Sequence, residues 1–395
     1  MTGIASCSLS STCLRQTGTE SGVRAHPSTV ARRGQEPTNW PCTEYEIILR
    51  PERNLRTRTG PNGQTSMAPA PTSDAVDASR ADTVHPAIAD YLADTSVEDG
   101  PSYRDLSLEE IREMDETSPL SKDLDIPVEH VEDRTVSGPN GEIPVRLYDS
   151  RTDRSGTDPV IVYLHGGGWI SGSIETHNRI CRTLTTKTGY PVVSVGYRLA
   201  PEHPFPAGLQ DCYAVLNWVS DTATVPGIDP ERLVVMGDSA GGNLAAATAL
   251  VARDRGGPAI AHQVLIYPAM GAAQTTPAYT ENSDGYGLTA EIMDVIYDRY
   301  TESDIDDANY YAWPRKAADL SGLPPATILT AGFDPLRDTG ALYAEQLLEA
   351  DVPVSFTNYP AMVHGFFAMI GDPVAVDPAH EAYEAIATRL QDQFD

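Results

Sequence analysis

The sequence predicts an α/β fold: a mostly parallel central sheet with helices on both faces and a helical cap. Three observations predict it. Short, near-continuous apolar runs alternate with helix-forming stretches from residue 159 to the C-terminus, and strands buried on both faces read this way. One of these runs, RLVVMGDS (232–239), passes without a linker into the alanine-rich helix former NLAAATALVA. A segment of about 55 residues interrupts the alternation between the fourth and fifth runs, and a long helical insertion over a parallel sheet is commonly a lid.

Along the chain, residues 1–66 stand apart. They hold eight Arg, five Glu and no Asp, whereas the whole chain has 56 acidic and 28 basic side chains and a formal charge of −28. They lack both a sustained hydrophobic period and the apolar core of a secretory signal. Two readings stand: translation that natively starts at Met67, or a disordered extension. Residues 67–395 are expected to form the folded domain. Two helices are expected between Pro86 and about Asp125, the second opened by a capping box of Ser107 and Glu110. VEHVEDRTVSG and EIPVRLYDS are expected strands, turned by Pro139-Asn140-Gly141. The parallel strands are then PVIVYLHG (159–166), PVVSVGYR (191–198), RLVVMGDS, HQVLIYPA (262–269), ATILTAGF (326–333) and VSFTNYPA (354–361). Helices are expected through about Thr188, over LQDCYAVLNWVSD, after Ser239, over Tyr286–Tyr300 in the insertion, and over EAYEAIATRLQDQF. No internal repeat is evident.

Charge and composition narrow the function. A surface this acidic repels nucleic acid and anionic membranes, since phosphate binding needs clustered cations. No run of 18 apolar residues occurs, so no membrane-inserted helix is expected. Lysine is confined to Lys122, Lys187 and Lys316. At molar salt the Debye length is roughly 3 Å, so crowded carboxylates are screened. A lysine-poor, aspartate-rich chain resembles proteins of salt-accumulating extreme halophiles; an ordinary solvated acidic surface is the alternative. Cys7, Cys13 and Cys42 fall in the first segment. Cys181 and Cys212 lack CxxC spacing and suggest buried thiols in a reduced, cytoplasmic chain.

The chemistry centres on Gly237-Asp238-Ser239-Ala240-Gly241. A strand turning straight into a helix strains the residue at its apex and needs small neighbours, as in the G-x-S-x-G nucleophile elbow. A serine nucleophile requires a base, an orienting acid and an oxyanion site. Gly166, Gly167 and Gly168, directly after the first parallel strand, can turn backbone N–H groups inward to join that of Ala240. A flexible loop or a phosphate cradle is the other reading of a glycine triplet, but no Lys-Ser/Thr follows. Asp334 ends a strand, whereas Asp338 falls within the next helix as an N-terminal charge. His364 follows the last strand at the same sheet edge. His380 sits in the final helix, and His165 suits a structural hydrogen bond. Ser239, Asp334 and His364 thus become catalytic candidates, in the chain order Ser, acid, His.

Together HGGGW, GYRLAPEHPFPA, GDSAGGNLAAA, DPLRD and MVHGFF resemble the hormone-sensitive-lipase-like (bacterial family IV) esterases of the α/β-hydrolase fold, over roughly residues 85–395. The resemblance implies a Ser239–His364–Asp334 triad. It implies an oxyanion hole from two N–H groups within Gly166–Gly168 plus Ala240, and a cap from about 85–125 and 281–305. It also implies that Arg198 and Glu202 brace the glycine loop and that no metal or organic cofactor is needed. The expected substrate is a small carboxylic ester of short to medium chain, and a homodimer is compatible. Deacetylase, lactonase or amidase chemistry would use the same triad. A non-catalytic receptor of this fold would typically have lost the histidine. Thr339 replaces the Glu carried by many members.

Overall fold

A computed structural model describes residues 76–95, 101–221, 225–271 and 273–394. The expectations for residues 1–66, including Cys7, Cys13 and Cys42, lie outside the described residues. The helix α1 (Pro86–Thr95) is followed by α2 (Leu108–Thr117), then by β1 (His130–Gly138) and β2 (Gly141–Asp149). The alternating part runs β3 (Asp158–Leu164), α3 (Asn178–Thr188), β4 (Val192–Val195), α4 (Ala207–Val219), β5 (Ile228–Asp238), α5 (Ala240–Arg255) and β6 (Ile260–Ile266). Three helices follow, α6 (Pro277–Glu281), α7 (Ala290–Tyr300) and α8 (Asp304–Ala308). The chain closes with β7 (Ala326–Phe333), α9 (Arg337–Glu349), β8 (Val354–Val363), the short pair β9 (Ile370–Gly371) and β10 (Val374–Ala375), and α10 (Asp377–Phe394).

Eight strands form one sheet in the order β1-β2-β4-β3-β5-β6-β7-β8. The β1–β2 hairpin joins β4 antiparallel, and β4 through β8 are parallel. The apolar runs fill two cores by strict alternation. Val160, Val162, Leu164, Leu233 and Val235 face one core with Leu216 of α4, Leu244 of α5 and Leu347 of α9. Ile161, Tyr163, Val234 and Met236 face the other with Leu184 of α3, Tyr383 of α10 and Ile88 of α1. A side-chain period of two explains why both faces must be apolar and why these strands carry no polar stripe.

Several boundaries differ from the sequence reading. The insertion helix begins at Ala290 rather than Tyr286. Thr289 caps it by accepting from the Ile292 amide, and Gly285 and Gly287 sit at positive φ before it. The strand expected over 191–198 ends at Val195, after which the chain leaves the sheet. The last strand runs on to Val363 and delivers His364 to the sheet edge. The Ser107–Glu110 capping box forms at the start of α2 as expected. Cys181 and Cys212 are buried free thiols. No helix among the described residues is long and apolar enough to cross a membrane.

The helices before the sheet part company. Ile88 of α1 is buried in the core that α3 and α10 cover. The second helix, α2, instead packs Ile111 with Ile170 beside the glycine loop and Ile296 of α7. Arg112 pins it there. Its Nε donates to the Ile170 carbonyl at 2.9 Å, and its guanidinium pairs with Glu202 at 2.8 Å.

Candidate active site

The site lies where parallel strands end, so loops from distant parts of the chain meet there. β5 stops at Asp238, α5 starts at Ala240, and Ser239 between them has φ 56° and ψ −119°. Such a conformation costs a non-glycine residue about 1–3 kcal/mol and must be held by its surroundings. The Ser239 N–H donates to the Ile266 carbonyl at 2.8 Å, and its carbonyl accepts from Ala269 and Asn243 N–H at 3.1 Å each. Strand and helix approach so closely that a Cβ on Gly241 would collide with the Leu164 carbonyl oxygen. This is the physical need behind the glycines around the serine.

The hydroxyl, imidazole and carboxyl form one line. His364 Nε2 lies 2.9 Å from Ser239 Oγ, and its Nδ1 lies 2.8 Å from Asp334 Oδ2. With Nδ1–H donated to the carboxylate, Nε2 is left to accept from the serine. Asp334 is fully buried, and its Oδ1 accepts from the Leu336 N–H at 2.8 Å. Asp338 is turned elsewhere, accepting from Ala278 N–H and pairing with Arg337. His380 stays within α10.

The glycine loop divides its labour. Gly167, Gly168 and Ala240 line the cavity around Ser239, and Gly166 does not. The Gly166 N–H donates instead to Asp238 Oδ1 at 3.0 Å. Gly167 holds φ 110°, a region that side chains rarely adopt.

Behind the loop lies a buried polar cluster that sequence reasoning missed. Asp238 Oδ1 also accepts from the Tyr163 hydroxyl at 2.6 Å and lies 3.4 Å from His177 Nε2. Burial opposes charge on His177, but the Asp238 carboxylate outweighs it and raises the imidazole above its ordinary pKa. Burial likewise pushes Asp238 up, and His177 outweighs it, leaving the carboxyl below its usual range. His165 behaves oppositely. Burial, with His177 nearby, lowers it to about 3, so it is neutral, stacked on Tyr197 at 4.2 Å. His177 carries no motif signal, since Asp238, the partner that raises its pKa, lies 61 residues along the chain.

Arg198 does not reach the glycine loop. It binds Asp211 of α4 through two guanidinium nitrogens at 2.8 Å and so fixes the segment after β4. Among the described residues, Glu202 pairs with Arg112, which in turn donates to the Ile170 carbonyl. The loop's outer brace is Trp169, stacked on Tyr300 of α7 at 4.1 Å and edge-on to Trp313 at 5.6 Å. The cavity is about 270 Å³. Its lining includes Leu288, Met293, Ile296 and Tyr297 from the insertion and Asp115 and Ser118 from the end of α2.

A strand–serine–helix elbow on a mostly parallel eight-stranded sheet, with an acid and a histidine at neighbouring strand ends, defines the alpha/beta-hydrolase class. A family model described as alpha/beta hydrolase fold matches residues 161–368, and the chain belongs to this family. Among its relatives, carboxylesterase NlhH of Mycobacterium tuberculosis is 46% identical over 273 residues, covering 67% of this chain and 84% of that protein. Esterase LipI of the same organism is 41% identical over 268 residues, covering 66% and 82%. A hyperthermophilic esterase from the archaeon Pyrobaculum calidifontis superposes with a TM-score of 0.73 at 38% identity, covering 78% of this chain and 98% of its own.

Proposed function

We propose that the chain is a carboxylic ester hydrolase of the hormone-sensitive-lipase-like group, working through Ser239, His364 and Asp334. The observation that carries this reading is the unbroken hydrogen-bond line from the Ser239 hydroxyl through His364 to buried Asp334, at the wall of a cavity. The carboxylesterase and esterase names of its relatives agree with it.

In this reading Ser239 Oγ attacks the ester carbonyl while His364 Nε2 takes its proton. Asp334 holds the Nδ1–H and stabilises the imidazolium. The carbonyl oxygen becomes an oxyanion facing the N–H groups of Gly167, Gly168 and Ala240, with the α5 N-terminus behind it. One such donor is typically worth about 10²–10³ in rate. The tetrahedral adduct collapses, the C–O bond to the alcohol breaks, and Nε2 returns the proton to the leaving oxygen. Water then attacks the acyl-serine, giving its proton to Nε2, and the carboxylic acid leaves as Ser239 recovers its hydrogen.

Asp238 is a positioning residue in this scheme: its carboxylate fixes the Gly166 amide and so sets the direction of the next two. α2 and the 281–305 segment act as the cap, and a cavity of about 270 Å³ suits short- to medium-chain acyl groups. The charge of −28 with three lysines is read as adaptation to molar salt. A panel of p-nitrophenyl esters of increasing acyl length, run with the wild type and Ser239→Ala across KCl concentrations, tests the whole reading. Turnover should peak at short to medium chains and vanish in the variant; equal activity of the two proteins would refute it.

A further inference from the structure

We propose that the cavity beside Ser239 has a polar end built for a hydrogen-bond donor on the substrate, a hydroxyl or ammonium group, with Asp115 as the specificity residue that accepts from it. The inference rests on the ester-hydrolase reading above.

Asp115 stands near the end of α2, far from the strand ends that supply the triad, yet it lines the same cavity as Ser239. Its Oδ2 is shielded from solvent and has no hydrogen-bond partner among the described residues. Two other cavity-lining groups share that condition, Trp169 Nε1 and the Tyr297 hydroxyl. Of the three, Asp115 is the one that can carry charge, and an ionised carboxylate accepts and never donates. Burial pushes its pKa up. Against this, His177, the Ser171 hydroxyl and the Gly172 amide favour the ionised form, and Asp238 opposes it. Burial outweighs them and holds the carboxyl above its ordinary pKa, with Oδ2 buried and unpaired, so a donor reaching it would favour the ionised form.

The lining around it is segregated by element. Ser118 and Ser121, whose amide and hydroxyl hold the Asp115 carbonyl, line the cavity together with Thr176 and His177. The insertion supplies Leu288, Met293 and Ile296. No lysine or arginine lines the cavity among the described residues. A free carboxylate or phosphate on the substrate would meet Asp115 and Asp238 with no lysine or arginine among the described lining residues to pair with it, whereas a hydroxyl or ammonium would complete Oδ2. Sites that hydrogen-bond a substrate group discriminate strongly against analogues lacking it, because the buried protein group is then left unpaired.

The test uses the intact enzyme and matched pairs of esters. On the alcohol side these are 2-hydroxyethyl against propyl butyrate and 2-(dimethylamino)ethyl against 3-methylbutyl butyrate. On the acyl side they are ethyl 3-hydroxypropanoate against ethyl butyrate. At neutral pH at least one donor-bearing ester should exceed its carbon isostere by about tenfold or more in kcat/KM. Asp115→Leu should erase that preference, bringing the kcat/KM ratio of donor-bearing ester to apolar isostere down to about one. Asp115→Asn, which keeps an acceptor but no charge, should retain a hydroxyl preference and lose an ammonium one. A purely structural Asp115 would lower both members of a pair alike. The inference is overturned if no donor-bearing ester outruns its isostere, or if the preference survives in both variants. Failure of the ester-hydrolase reading looks different: no ester, p-nitrophenyl butyrate included, is turned over.

Discussion

The strand-end half of the site and its helical wall are built on different physics. Ser239, Asp334 and His364 are set by sheet geometry. Each follows or ends a buried parallel strand; backbone hydrogen bonds to Ile266 and Ala269 hold Ser239, and the Leu336 amide holds the Asp334 carboxyl. The wall comes from α2 and α7, which meet through a small apolar cluster around Ile111, Ile170 and Ile296. Rigid strand ends suit a line of atoms that must stay within proton-transfer distance. A wall of surface helices can change its lining residue by residue without disturbing that line. On the proposed reading, chemistry and selectivity are separable in this molecule, and substitutions in the two regions should fail in different ways.

The sharpest way to break the comparison is at the strand ends. Ser239→Ala should lower kcat by as much as about 10⁶, with an unchanged circular-dichroism spectrum and melting temperature. Asp334→Asn should cost about 10⁴ by allowing the wrong imidazole tautomer, and a kcat within tenfold of wild type would show that the acid lies elsewhere. Packing at the elbow predicts a stability effect of another kind. Gly241→Ala forces a methyl against the Leu164 carbonyl, so a loss of about 1–3 kcal/mol is expected in urea unfolding. In the wall, Ser118→Ala should stay within about 0.5 kcal/mol by the same measurement.

A smaller effect concerns pH, away from the site. His262 is buried on β6, its Nε2 is 2.9 Å from Thr327 Oγ1, and burial lowers it to about 4. The unfolded chain takes up this proton near pH 6.5 and the folded chain only near 4. Stability is therefore present above 6.5 and drains away as pH falls toward 4, by up to about 3 kcal/mol. His262→Gln should flatten that part of the stability–pH curve; an unaltered slope would remove His262 from the account. The same melts repeated in KCl address surface charge. Screening of 56 carboxylates against 28 cations should raise the melting temperature steadily toward molar salt, and full stability in dilute buffer would count against the salt-adapted reading.

Legibility in the sequence follows the same division. Continuous apolar runs betray a strand buried on both faces, so β3 and β7 could be read to within two residues, while β5 starts four residues early and β6 ends three early. The glycines at 237 and 241 announce a close strand–helix approach. Asp334 and His364 stood out because each follows a strand at one edge. His177 and Asp115 could not be found this way. Each is an ordinary polar residue at or near a helix end, and only folding brings Asp115, His177 and Asp238 together. The start of α7 was readable after all, since Gly285, Gly287 and the capping residue Thr289 precede it. Arg198 turns to Asp211 rather than to the loop, and sequence proximity to a motif does not tell which way a long side chain turns.

The chemistry at the strand ends has one direct measurement. Reaction of the protein with diethyl p-nitrophenyl phosphate, followed by peptide mass spectrometry, should find a single diethylphosphoryl group on Ser239, with label and lost activity rising together and His364→Ala labelling far more slowly. Complete inactivation with the group on another residue, or full activity in a chain fully labelled at Ser239, would contradict the account.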